Sequence, residues 1–313
     1  RNEDRGADRG SGVSEAATSA PSVPRPAGLR REAEGLASAL PPLLAEAEHL
    51  ASTVQLGQHG RRRSGMGDEF WQYRPAHAGD EARMIDWRRS ARADQHFVRE
   101  KEWQAAQSVH LWVADARSME FTGDRNRTTK ADLARLLALA VSVLLIRGGE
   151  RVGLADPVAP PRSGEVQLMR LAQTFTAAAG EADYGAPEAR AMLPFSRAVF
   201  LSDFLGDIGA VEAALTQAAD KGVRGALVQV LDPVEEAFPF DGRTIFESMT
   251  GAIRHETRQA GDLRGRYLER LAERKERLTQ LAIATGWLYS VHHTDHAAQG
   301  ALLWLYGALE RKS

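Results

Sequence analysis

The chain has 313 residues, with 40 Lys and Arg against 42 Asp and Glu, a formal net charge of −2 and no cysteine. That length admits one large or two modest domains with a substantial buried core. The balanced charge argues against a dedicated nucleic-acid binder, which carries a basic excess, and the lack of cysteine excludes disulfides and thiolate ligands and agrees with a reducing interior.

Residues 1–28 are polar, rich in Ser, Ala, Pro and Gly, and lack an apolar period, so they are expected to form a disordered tail that cannot offset its ordering entropy. Over residues 29–56, Leu36, Leu40, Leu43, Leu44, Ala47, Leu50, Ala51 and Val54 recur at helical spacing, broken at Pro41-Pro42. This predicts an interrupted amphipathic helix. Residues 57–107 form an Arg/Trp-rich module, in which Gly60 to Glu102 alone carries nine arginines and two tryptophans. Glycines punctuate it, and Phe70 to Arg74 and His96 to Glu100 alternate like strands. No apolar run reaches the roughly 18–20 residues of a membrane span. The longest, Leu133 to Ile146, ends in Arg147-Gly148-Gly149 and reads as a buried helix. No charged segment followed by an apolar one opens the sequence, so a soluble, cytoplasmic protein is expected.

From residue 108 to 313 the rhythm becomes an alternation of strands and helices, which predicts an α/β fold built on a mostly parallel sheet with helices on both faces. Strands are expected at Val109 to Ala114, Arg151 to Ala155, Ala198 to Leu201, Ala226 to Leu231 and Trp287 to His292. Helices are expected at Lys130 to Arg147, Val166 to Ala179, Ile208 to Lys221, Leu263 to Ala284 and Ala297 to Arg311. Residues 233–253, with turn signals at Pro239, Asp241-Gly242 and Gly251, read as an insertion carrying one or two short strands. The charges of the Leu263 helix read as its solvated face.

The run Ser64-Gly65-Met66-Gly67-Asp68-Glu69-Phe70, then Tyr73-Arg74, then Gly79-Asp80-Glu81-Ala82-Arg83-Met84-Ile85-Asp86-Trp87-Arg88-Arg89-Ser90-Ala91-Arg92, resembles the signature of the domain of unknown function 58 family. Gly149 to Leu154, Ser202-Asp203-Phe204, Leu231-Asp232-Pro233 with Glu235, and Pro239 to Gly242 resemble it further along. Members of that family carry a von Willebrand factor A-like (Rossmann-like) domain, and their genes often neighbour one for a MoxR-type AAA+ ATPase. The resemblance therefore implies an interaction or adaptor protein working with such an ATPase, in chaperone-like assembly or stress response. It implies no reaction.

It also implies a place for a divalent cation. A domain of that kind holds Mg²⁺ or Mn²⁺ at the strand carboxyl ends, on an Asp-x-Ser-x-Ser loop and a later Asp, all hard oxygen ligands. Here the loop reads Ala114-Asp115-Ala116-Arg117-Ser118-Met119, so the candidate metal set is a degenerate one of Asp115, Ser118 and Asp203. Either alignment loses an oxygen ligand and gains Arg117. Two readings stay open: a metal-dependent enzyme or ligand-binding protein with its site at these strand ends, or a site that has given up its ion, with Arg117 paired to Asp115 or Asp203 in the metal's stead.

In the Arg/Trp module, Arg83, Arg88, Arg89, Arg92 and Arg99 alternate with Asp80, Glu81, Asp86, Asp94, Glu100 and Glu102, which suits an internal network of guanidinium forks. Arg61-Arg62-Arg63 has no acidic neighbour before Asp68. Trp71, Trp87 and Trp103 suit core anchoring, yet Trp together with Arg is also what interface hot spots enrich. Arg61, Arg62, Arg63, Arg83, Trp87, Arg88 and Arg92 are therefore the candidate partner-binding residues. His292-His293-Thr294-Asp295-His296 carries zinc-ligand side chains, but adjacent strand residues face opposite ways. No Gly-x-Ser-x-Gly elbow or phosphate loop is present. The expectation is a non-enzymatic adaptor with a protein partner, a MoxR-type ATPase, and with no nucleic acid, no membrane span and no cofactor beyond the Mg²⁺ or Mn²⁺ of the degenerate loop.

Overall fold

The computed structural model describes residues 42–58, 70–77, 85–92, 95–101, 106–177, 180–252 and 254–310. The expected tail over 1–28 and the first part of the N-terminal helix fall outside them. Helix α1 (Pro42–Gln58) starts at the second of the two prolines, where a missing N–H forfeits no intrahelical bond. Its Leu44, Ala47, Leu50, Ala51 and Val54 are buried. In the Arg/Trp module, β1 (Phe70–Pro75) pairs antiparallel with β2 (Phe97–Lys101). Between them the short helix α2 (Trp87–Ser90) follows a bridge from Ile85 to Val98.

Beyond the module come β3 (Ser108–Val113), α3 (Lys130–Arg147), β4 (Arg151–Leu154), β5 (Ala159–Arg162), α4 (Glu165–Phe175), β6 (Arg197–Ser202), α5 (Ile208–Asp220) and β7 (Arg224–Leu231). They are followed by α6 (Pro233–Ala237), β8 (Thr244–Glu247), β9 (Arg254–Thr257), α7 (Gly261–Thr285), β10 (Leu288–His293) and α8 (Ala298–Glu310). Six strands form one sheet in the order β10-β7-β6-β3-β4-β5. All neighbours are parallel except β4 and β5. This is the expected α/β arrangement, a mostly parallel sheet with helices packed on it, closed by one antiparallel edge strand.

The five parallel strands and five long helices sit within two residues of their expected limits, except that α4 ends at Phe175, four residues before the expected Ala179. Strand β5 was not expected, because its sequence Ala-Pro-Pro-Arg reads as a loop. As an edge strand it needs ladder bonds on one side only, which is where proline is tolerated. Residues 233–253 hold a helix and the strand β8, which pairs antiparallel with β9, lying wholly past residue 253.

Burial explains the layering. Strands β6 and β7 are buried along almost their whole length, so both sheet faces are covered. Helices α3, α4 and α8, with α1 laid over them, form one layer, and α5 with α7 forms the other. Helix α3 has 13 buried residues, which is why its sequence is apolar nearly all round. At Gly225 in β7 a Cβ would approach the Ala198 carbonyl oxygen to 1.9 Å, so close pairing with β6 requires glycine there. Among the described residues no helix is long and apolar enough to cross a membrane.

Candidate functional site

The carboxyl ends of β6 and β7 hold the most deeply buried charges described. Lys130 is the first residue of α3, directly after its Thr129 cap, and its relative exposure is 0%. Its Nζ donates to Asp203 Oδ2 at 3.0 Å and to Glu235 Oε1 at 2.6 Å, and it stands 5.6 Å from the centroid of the Phe121 ring. Asp203, just past β6, is 1% exposed. Its Oδ1 accepts from the Leu205 amide at 3.2 Å, its carbonyl accepts from Gln229 Nε2 at 2.7 Å, and its own amide meets Met119 Sδ at 3.2 Å. Both carboxylate oxygens are thus committed.

Glu235 is aimed by a local device. Asp232 caps α6, its Oδ1 accepting from the Val234 amide at 2.9 Å, while Glu235 Oε2 accepts from the Asp232 amide at 2.8 Å. This capping box fixes one Glu235 oxygen and turns the other to Lys130. The Asp232 carboxylate also takes Arg127 Nη1 on both oxygens, at 3.2 and 3.1 Å, and Thr294 Oγ1 at 3.0 Å. One connected polar network therefore ties β6, β7, β10, α3 and α6 together at the strand ends.

The electrostatics follow the geometry. Burial alone would lower the pKa of Lys130, but the Asp203 and Glu235 carboxylates outweigh it and hold the ammonium above its ordinary value. Burial pushes the Glu235 carboxyl up against the pull of Lys130. Asp232 is held below the usual carboxylate range, because amide bonds from Val234 and Gly123 with those from Thr294 and Arg127 overcome its burial. Two tyrosines feel the same charges: burial, then Glu235, raises Tyr267 to about 12, and burial, then Asp203, raises Tyr184.

The three candidate metal residues are treated differently by this arrangement. Asp203 lies at the centre, paired with Lys130. Ser118 is 9% exposed on the turn next to Met119, and its Oγ is buried with no hydrogen-bond partner among the described residues. Asp115 is exposed, with its carbonyl bonded to the Gly180 amide. Its charge, after burial and Glu188, helps raise the pKa of Asp156. Arg117 is exposed and has no ion pair among the described residues. The cation that answers Asp203 is Lys130, not Arg117, because the first turn of α3 reaches the strand ends while Arg117 points to solvent.

A divalent ion needs several oxygens with free lone pairs about an open position. Here the ammonium stands between the two best-placed carboxylates, and the set as arranged does not fit such an ion. Among the described residues no group of three or more His, Asp or Glu side chains is placed to hold a metal. His292 and His293 both turn their rings edge-on to His296, with centroids 6.1 and 5.2 Å apart, and His293 Nε2 lies 2.9 Å from Glu236.

Sequence reasoning missed Lys130, Glu235 and Asp232 as site residues. The Asp232-x-x-Glu235 box was legible as a helix start. For Lys130 the one local signal is a cation in the first turn of an apolar helix, where the macrodipole disfavours it.

Of the candidate partner-binding residues, Arg61, Arg62, Arg63 and Arg83 lie outside the described residues. Trp87, Arg88 and Arg92 share one short knuckle. Asp86 Oδ1 accepts from the Arg88 and Arg89 amides at 3.1 and 3.0 Å. Ser90 Oγ donates to the Asp86 carbonyl at 2.8 Å and accepts from the Phe97 amide at 2.9 Å, which pins the turn to β2. Arg89 lies over the Phe97 ring. Held this way, Trp87 stays 57% exposed and meets His96 edge-on. Arg88 and Arg92 are exposed and have no ion pair among the described residues.

Residues 72–277 match the family described as Protein of unknown function DUF58. Among curated relatives, Uncharacterized protein Rv1480 of Mycobacterium tuberculosis and Uncharacterized protein Mb1516 of Mycobacterium bovis are each 28% identical over 251 residues, covering 75% of this chain and 78% of the relative. Among solved structures, an aerotolerance-related membrane protein from Bacteroides fragilis NCTC 9343, carrying multiple mutations to serines, is 15% identical with a TM-score of 0.38. The conserved hypothetical protein BatB from Bacteroides thetaiotaomicron is 13% identical with a TM-score of 0.37; each comparison covers 65% of this chain and 98% of the other. The match to the family model spans about two thirds of the sequence and takes in the knuckle and all of the strand-end network but Thr294, and the chain belongs to the DUF58 family.

Proposed function

We propose that the chain is a non-enzymatic, cytoplasmic adaptor that docks on a protein partner, a MoxR-type AAA+ ATPase, through the Trp87 knuckle. The observation that carries this reading is the exposure of Trp87 beside Arg88 and Arg92 on a turn whose backbone is already fixed by Asp86 and Ser90. A large apolar ring and two guanidinium groups presented to water on one turn match the residues that dominate interface energetics, and a backbone already fixed loses little entropy on binding. The strand-end network supports the non-enzymatic part: its carboxylates are spent on Lys130, Arg127 and backbone amides.

Co-purification of the full chain with the ATPase, in ATP, in ADP and without nucleotide, tests the reading. Association is expected in at least one state, and Trp87→Ala is expected to weaken it about 30-fold, the equivalent of a 2 kcal/mol hot spot. Arg88→Glu/Arg92→Glu should act in the same direction and make the residual binding less salt-sensitive. No association in any nucleotide state removes the proposed partner.

A further inference from the structure

Where α5 packs on α7, an open cleft of about 350 Å³ is lined by Ile208, Arg270, Glu273, Arg274 and Arg277. That volume lies toward the lower end of the roughly 300–1,000 Å³ of small-molecule sites. Two of the three guanidinium groups are held in place from the α5 side. Arg274 Nη1 donates to the Gly206 carbonyl at 2.8 Å, and Arg277 Nη2 donates to Glu212 Oε2 at 2.7 Å. The third, Arg270, is exposed and has no ion pair or hydrogen bond among the described residues. Even with Glu212 counted beside Glu273, three cations face two carboxylates.

Helix stability does not account for this row. Arg266, Arg270 and Arg274 follow one another at i, i+4 spacing, where like charges repel and weaken a helix. Glu273 stands in the favourable order before Arg277, yet Arg277 pairs with Glu212 of α5. We propose that this cleft binds the phosphate group of a small molecule. A guanidinium presents five N–H donors in a plane that matches phosphate oxygens in pairs. Arg270 has all five to offer, and Arg274 and Arg277 keep donors beyond those that fix them. Ile208 adds an apolar wall for the carbon part of a phosphate ester, which free phosphate lacks.

Calorimetry of the full chain with inorganic phosphate and with phenyl phosphate, at matched ionic strength, provides the test. Saturable one-to-one binding is expected for at least one of them. Tighter binding of phenyl phosphate assigns the site to an ester, and equal or weaker binding assigns it to free phosphate. Arg270→Gln is expected to weaken binding about tenfold or more, the scale of a lost hydrogen bond to a charged group. Its Tm without ligand should match wild type, because Arg270 has no internal partner to lose. Arg264→Gln, exposed on the same helix but outside the cleft lining, should bind as wild type does. No saturable binding of either probe overturns the proposal. Binding that Arg270→Gln leaves unchanged, or that Arg264→Gln weakens as much, overturns it too, since the attraction would then be diffuse charge. Tighter binding of a heptaglutamate peptide, displaced by neither phosphate, would assign the arginine row to an acidic protein segment and likewise overturn it.

Discussion

Replacing Lys130 by Met lowers the unfolding free energy by about 3–5 kcal/mol, the range expected when one partner of a buried ion pair is removed and the other is left uncompensated. The side chains of Lys130 and Asp203 are 1% and 2% exposed, so water cannot take over the lost role. The fall is read as a lower urea midpoint at an unchanged m-value. Asp203→Asn alone is also destabilising. The double variant Lys130→Met/Asp203→Asn is less damaged than the sum of the two, because it removes the charge and its partner together. A Lys130→Met chain as stable as wild type would refute the pairing.

The pH dependence of that effect has a definite sign. The Lys130 pKa is raised in the folded chain above its ordinary 10.5, so its contribution is fully present below that value and is lost as pH rises through the folded pKa. Wild type should therefore keep its advantage over Lys130→Met through neutral pH and surrender it only in strongly alkaline solution.

Asp232→Ala is the second large effect, a loss of about 3 kcal/mol, between that of a hydrogen bond to a charged group and that of a broken buried pair. The substitution strands the Arg127 guanidinium and the Thr294 hydroxyl, and it removes the side-chain cap of α6 while leaving the backbone amide that holds Glu235. Because the Asp232 pKa is lowered from 3.8, its contribution is present above that value and lost as pH falls through the folded pKa. Glu235 runs the other way: its raised pKa gives a contribution present below 4.5 and lost as pH rises. Comparing wild type with Asp232→Ala, which both keep Glu235, isolates the Asp232 part. Denaturant titrations from about pH 7 to about pH 2 should show the gap between the two chains closing only on the acid side of 3.8. A gap constant to the lowest pH would mean that the carboxylate charge is not what matters.

Much of this fold is written in local pattern. Strands β6 and β7 are near-continuous apolar runs and α3 is apolar nearly all round, which is what burial on both sides demands. Strand β5 escapes because its two prolines carry turn chemistry and only its edge position makes it a strand. The candidate site is less legible for a related reason. Lys130 meets Asp203 and Glu235 across 73 and 105 residues of sequence, and no local period encodes a meeting at that range. The altered loop at Asp115 to Ser118 did point to the right end of the sheet, but its own arginine, not the distant lysine, was the visible cation. In the knuckle, sequence alone left Trp87 open between core and interface. Its exposure takes it out of the core, and the bond from the Phe97 amide to Ser90 Oγ anchors the turn without using the tryptophan.

Nitrogen-15 NMR of lysine-labelled full-length chain gives the most direct view of the strand-end cation. A buried ammonium locked between Asp203 and Glu235 should give one Nζ signal with slowly exchanging protons, missing from Lys130→Met and unmoved when Mn²⁺ is added to wild type. No protected signal, or one that the paramagnetic ion broadens at stoichiometric amounts, would mean that the place between those carboxylates is open and that Lys130 does not fill it.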